Sequence, residues 1–158
     1  DRKQIEILAG GSRWERYLPG ERVVRQGDHG EILYIIVAGK ADVRLGQGGL
    51  VSTVTTLESG TFFGEMSLLT GEPRSATVVA ATDLSVIAVG KQALLQVVQE
   101  DRRLIEQIGG VVARRQSATA AAKAQLSRDA AALAVVTHTR SLVERIQSFF
   151  WGERKPEG

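Results

Sequence analysis

The feature that most narrows what this chain can become is a change of rhythm at Lys91. Before it, short alternating or wholly apolar runs are cut by glycine at Pro19-Gly20, Gly27, Gly30, Gly39, Gly46, Gly48-Gly49, Gly60 and Gly64; after it, apolar residues recur every three or four positions in long segments. A two-residue period belongs to half-buried strands and a 3.6-residue period to helices. The spacing predicts strands over residues 15–18, 22–26, 32–38, 40–45, 51–57, 75–80 and 84–89, with a short helix at 4–8. It predicts helices over 92–99 and 101–116, then one long helix or two beyond Ser117, where Leu126, Ala130, Leu133, Val136, Val143, Ile146 and Phe150 form an apolar stripe. Strands first and helices second, with closely spaced turns, predict an α+β chain. Its core is an antiparallel β-roll, jelly-roll-like, of about eight strands.

Composition removes several classes of function. The 158 residues are 43% hydrophobic and 24% charged, enough for one core and a modest extension. There is no cysteine, so no disulfide framework and no thiolate metal site, and the two histidines, His29 and His138, are too few to make a metal site alone. The longest apolar runs, 32–38 and 84–90, have strand length, well short of the roughly 20 residues a membrane-crossing helix needs. No signal peptide is readable, and a chain opening on Asp1 reads as a piece of something longer. Residues 1–90 carry eleven acidic against nine basic side chains and residues 91–158 seven against eleven. This mild basic bias, spread through a helical pattern, reads as a solvated face and predicts no nucleic-acid partner. The Gly46-Gln47-Gly48-Gly49 stretch lacks the Lys-Ser/Thr of a phosphate loop and is read as a hairpin tip.

Chemistry concentrates in Phe62-Phe63-Gly64-Glu65-Met66-Ser67-Leu68-Leu69-Thr70-Gly71-Glu72-Pro73-Arg74-Ser75-Ala76-Thr77-Val78. Gly64 permits close backbone approach and opens a short helix, so the free N–H groups of Glu65, Met66 and Ser67 suit an anion. Glu65 offers two acceptor oxygens to a pair of hydroxyls such as a ribose edge and would repel a phosphate. The turn at Gly71 and Pro73 returns Arg74 beside the helix start, with a planar fork matched to phosphate oxygens. The alternative is that Glu65 and Arg74 pair as a solvated ion bridge, worth about 0–1 kcal/mol. An acid–base pair or metal cluster that could hydrolyse a phosphate is missing from the run, so no enzymatic activity is expected.

The run resembles the phosphate-binding cassette of cyclic-nucleotide-binding domains, with its Phe-Gly-Glu, the small residue and leucine after it, and the Pro-Arg-Ser-Ala-Thr-Val ending. Pro19-Gly20-Glu21, Gln26-Gly27-Asp28, Leu33-Tyr34 and Val37-Ala38-Gly39 are similar to the family's early strands, so the resemblance spans about residues 15–115. It implies cAMP or cGMP as ligand and no metal. Arg74 would grip the cyclic phosphate, Glu65 would accept from the ribose 2′-hydroxyl, and the backbone from Gly64 to Ser67 and from Ser75 through Ala76 to Thr77 would complete the cradle. Ser75 bears on base choice, and the balance favours cAMP over cGMP with dual binding open.

The same resemblance implies that a C-terminal helix, here 101–116 after the hinge helix, closes over the ligand as a lid. Ile108, Val111 and Val112 are candidates to cap the purine, and Arg114 and Arg115 to stack on it. Gly109-Gly110 inside that helix costs on the order of 2 kcal/mol relative to two alanines, which suits either a flexible lid or close packing. The chain is divided as a binding domain, 1–116 (roll 15–90, hinge and lid helices 91–116), and a helical extension, 117–158. The extension is expected to pack on the roll, on a second copy or on a parent protein, with the aromatics of 149–151 docked in a groove or placed at a membrane interface. Residues 112–116 and 141–150 are similar to the carboxyl ends of bacterial channels of the small-conductance mechanosensitive type. That resemblance implies a parent in the bacterial inner membrane with this domain on its cytoplasmic face and homo-oligomers formed through the parent; the alternative is the sensing domain of a cAMP-dependent transcription regulator.

Overall fold

The computed structural model describes residues 10–100 and 102–151. The helix expected at 4–8 lies outside the described residues, as do the side chains of 146–151. Among the described residues, eight strands form two four-stranded antiparallel sheets. The strands are β1 (Ser12–Tyr17), β2 (Arg22–Val24), β3 (Ile32–Ala38), β4 (Lys40–Gln47), β5 (Leu50–Glu58), β6 (Phe62–Phe63), β7 (Thr77–Ala80) and β8 (Leu84–Gly90). One sheet has the order β1-β8-β3-β6 and the other β2-β7-β4-β5.

The pleat explains how the sheets close on each other. Tyr34 and Ile36 of β3, Leu84, Val86 and Ala88 of β8, Ala41 of β4, Val78 and Ala80 of β7 and Phe63 of β6 form the core between them. Alternate residues of β3 and β8, Leu33 and Val89, face outward but are also buried, under Leu68, Ala93 and Leu94 of the helices. Burial on both faces is why these two strands read as continuous apolar runs. Tyr34 stacks on Phe63 with ring centroids 5.0 Å apart, within the range of favourable offset pairs.

Strand ends depart from the sequence reading where pairing overrides local pattern. β1 starts at Ser12 and ends at Tyr17 because six of its residues find partners on β8. The dipeptide Phe62-Phe63, with no strand expected, is held as β6 by pairing to Tyr34 and Ile35. β4 and β5 run to the tip of their hairpin, where Gly48 and Gly49 have φ of 60° and 81°, the two left-handed positions that a tight primed turn requires.

The helices among the described residues are α1 (Glu65–Thr70), α2 (Lys91–Glu100) and α3 (Arg102–Trp151). The lid and the extension are one element of 50 residues, about 75 Å long at 1.5 Å per residue. It runs unbroken through Gly109-Gly110 and across the expected division at 116/117. The alanine-rich stretch after Ser117 has the highest helix propensity available, and burial of Val112 and Leu126 fixes the helix on both sides of that division.

Candidate functional site

The cassette folds as its sequence predicts. Gly64 takes φ 88° and caps α1, and Gly71 at φ 73° ends it. A side chain at Gly64 would meet Arg74 Nη1 at 2.6 Å and the Ile32 carbonyl at 2.7 Å, so the position excludes any Cβ. Met66 and Ser67 follow Glu65 in the first turn, and the Ser67 hydroxyl donates to the Gly30 carbonyl at 3.0 Å, tying α1 to the β2–β3 loop.

Arg74 is 7% exposed. Its guanidinium donates from Nη1 to the Gly64 carbonyl at 2.8 Å and from Nη2 to the Ile32 carbonyl at 3.0 Å. Burial holds its pKa below the ordinary arginine value, with Tyr34 and Glu65 opposing that shift. Its backbone is pinned as well, with N–H donating to Asp28 and C=O accepting from Gly27. Gly30 packs against the guanidinium: a Cβ there would collide with Arg74 Nη2. In the sequence Gly30 is one turn glycine among several, and nothing local in the chain distinguishes it from the others.

Glu65 is 2% exposed, and it does not form a solvated bridge with Arg74. Its Oε1 instead forms an ion pair with Arg115 Nη1 of α3, 2.7 Å away. The Arg115 guanidinium also lies over the Phe62 ring, 4.9 Å from its centroid, so the cation–π partner in this structure is a side chain of the cassette itself.

These residues line one groove with about 650 Å³ of empty space, part of it open to solvent. Gly64, Glu65, Met66, Arg74, Ser75 and Ala76 form its polar end, and Val24, Val43, Val54, Leu57 and Val78 its apolar wall. Thr77 lies on β7 beside it, bonded through Oγ1 to the Gln26 amide, and the Ser75 hydroxyl rests 3.6 Å from Met66 Sδ. From α3, the lining residues are Arg115, Ala118 and Thr119. Ile108 and Val111 are half-buried, Val112 is buried and Arg114 is exposed, and none of these four lines the groove. The reason is helical geometry: residues 115, 118 and 119 share one face, and that face meets the groove one to two turns beyond Val112, so that of the expected lid residues Arg115 alone lines it. Among the described residues no group of three potential metal ligands occurs.

A β-roll carrying a glycine-started short helix, a buried carboxylate and a buried arginine in one groove defines a class of ligand-binding module. Residues 14–101 match the family model described as the cyclic nucleotide-binding domain. The chain belongs to that family. It is 35% identical over 107 residues to a cAMP-dependent protein kinase regulatory subunit of Colletotrichum orbiculare, covering 68% of this chain and 25% of the relative. It is 42% identical over 91 residues to a cGMP-dependent protein kinase of Plasmodium berghei, covering 58% and 10%. The fold superposes on the Thermus thermophilus catabolite activator protein with a TM-score of 0.67 at 27% identity, over 80% of this chain and 60% of that one. The chain thus spans a quarter or less of the length of these curated relatives.

Proposed function

We propose that this domain is a cyclic-nucleotide sensor, with cAMP preferred over cGMP, that reports occupancy through α3. The observation that carries it is the buried pair Glu65 and Arg74 on either side of Gly64 in one groove. The cyclic phosphate would sit against the free amides at the start of α1 and the Arg74 fork, whose charge in a poorly solvated site is worth more than on a surface. The ribose 2′-hydroxyl would donate to Glu65, held in place by Arg115. The base would extend along the valine and leucine wall under Ala118 and Thr119. The ligand is bound and released unchanged, and no residue in the groove is assigned a catalytic role.

Titration calorimetry with cAMP and then cGMP tests this. Micromolar or tighter binding is expected, with cAMP tighter; Arg74→Ala should lose about 2–5 kcal/mol of it, the cost of leaving a desolvated phosphate without its partner. No heat with either nucleotide, or unchanged affinity in Arg74→Ala, would overturn the assignment. The names of the relatives divide between cAMP and cGMP, so base preference rests on Ser75 and on the two titrations.

The parent we propose is a bacterial inner-membrane channel that carries this domain on its cytoplasmic face and assembles as a homo-oligomer. The support is the similarity of residues 112–116 and 141–150 to such carboxyl ends. No described helix is itself long and apolar enough to cross a membrane. Fractionation of the full-length product decides the matter: recovery in the membrane pellet supports a channel, and recovery with DNA in the soluble fraction supports the transcription-regulator alternative.

A further inference from the structure

The long helix touches the roll at a second place, away from the groove. The β4–β5 hairpin tip meets α3 where Gly48 faces Ala130: a Cβ on Gly48 would lie 2.7 Å from the Ala130 Cβ, well inside the roughly 3.5–4.0 Å of ordinary carbon contact. One turn earlier Leu126 is buried at 7% exposure. Arg115 and Ala130 are fifteen residues apart, about 22 Å along the axis, and Ala118 and Thr119, which roof the groove, lie between these two anchors.

Neighbouring Gly49 has a similar backbone, φ 81° against 60°, yet nothing lies within 4 Å of where its Cβ would be. The turn explains a glycine at both positions; only Gly48 is additionally pressed against the helix. We propose that the Gly48–Ala130 contact is a positioning contact that sets the height of α3 over the groove, and through it the affinity for nucleotide. The small residues are there because each extra carbon at the hairpin tip would lever the roof away from the apolar wall. This rests on the nucleotide-binding reading for its ligand, but not for the position of the helix.

The test compares Gly48→Ala with Gly49→Ala. Both force alanine into a left-handed turn position, so loss of stability from backbone strain is shared, while only the first adds a carbon against Ala130. Gly48→Ala should bind cAMP about three- to tenfold more weakly than Gly49→Ala, the range of coupling through a packed element. The double variant Gly48→Ala/Ala130→Gly should recover most of the difference. Ala130→Leu, which adds bulk from the helix side without touching the turn, should weaken binding likewise. Equal affinity in the two glycine variants, or no recovery in the double variant, would overturn the proposal. Amide hydrogen exchange over residues 115–119 of the nucleotide-free variants reads the helix directly: faster exchange in Gly48→Ala than in Gly49→Ala is expected, and equal exchange would refute the positioning role. If the unaltered chain binds neither nucleotide while that difference in exchange is seen, the ligand assignment fails and the positioning contact stands.

Discussion

Two stretches of α3, 112–130 and 131–145, have opposite fates. From Val112 to Ala130 the helix lies on the roll, with Val112 and Leu126 buried, Arg115 in the groove and Ala130 against the hairpin tip. From Ala131 to Arg145 every residue is exposed, including Leu133 at 54%, Val135 at 65% and Val136 at 63%. The side chains facing the roll in the first half include the small Thr119, Ala122 and Ala130, which let the backbone come close; the second half carries larger apolar groups that stay exposed among the described residues. Both halves are helical, although the β-branched Val135, Val136, Thr137 and Thr139 give the second a lower intrinsic propensity than the alanine-rich first, and they differ in what each finds beside it. The first half acts within the domain, and the second is the part available to whatever lies beyond it.

The largest effect that would test this contrast comes from shortening the chain. Ending it after Gln116 removes Ala118, Thr119 and Leu126, and nucleotide affinity should fall by tenfold or more; ending it after Val136 should leave affinity within about twofold, because residues 137–145 are all exposed. Equal behaviour of the two truncations in titration would erase the distinction. Next in size is a pair of leucine deletions. Leu126→Ala should cost about 2–4 kcal/mol of unfolding free energy, as for a buried leucine replaced without collapse of the site. Leu133→Ala should stay within about 0.5 kcal/mol. Urea denaturation of both measures the difference, and a comparable loss in each would mean that the distal half is packed as well.

How much of this was readable beforehand follows from how local each signal is. The cassette was legible because its determinants lie within seventeen consecutive residues: Gly64 at a left-handed cap, Glu65 behind it and Arg74 after a glycine-proline turn are brought together by one short helix and one turn. The roll was legible because glycine punctuates most of the turns between its strands, the Ala81-Thr82-Asp83 turn being an exception. The roof of the groove was not. Sequence periodicity places Ile108, Val111 and Val112 on one helical face, but which turn of that face meets the groove depends on where α2 ends and how far α3 travels across β4 and β5. Gly30 and Gly48 likewise look like any turn glycine until Arg74 and Ala130 arrive from 44 and 82 residues away. The glycine pair at 109–110, a natural place to expect a break, is spanned without one because the helix is anchored just beyond it.

Arginines 114 and 115 give the finest version of the comparison, since consecutive helical positions differ by about 100° of rotation. Arg114 is exposed, whereas Arg115 pairs with buried Glu65 and covers Phe62. Arg115→Ala leaves Glu65 buried without its partner and should cost about 1–3 kcal/mol of stability. Because Arg115 is itself 27% exposed, solvent screening places the loss toward the lower end. Arg114→Ala should be neutral within about 0.5 kcal/mol. Arg115→Lys separates the two parts of the interaction: it keeps a positive charge within reach of Glu65 but gives up the planar fork and its stacking on the Phe62 ring. An intermediate loss in thermal denaturation would assign part of the contact to each. A lysine variant as stable as the parent would leave charge alone responsible, and one as unstable as the alanine would show that the guanidinium plane holds α3 over the groove.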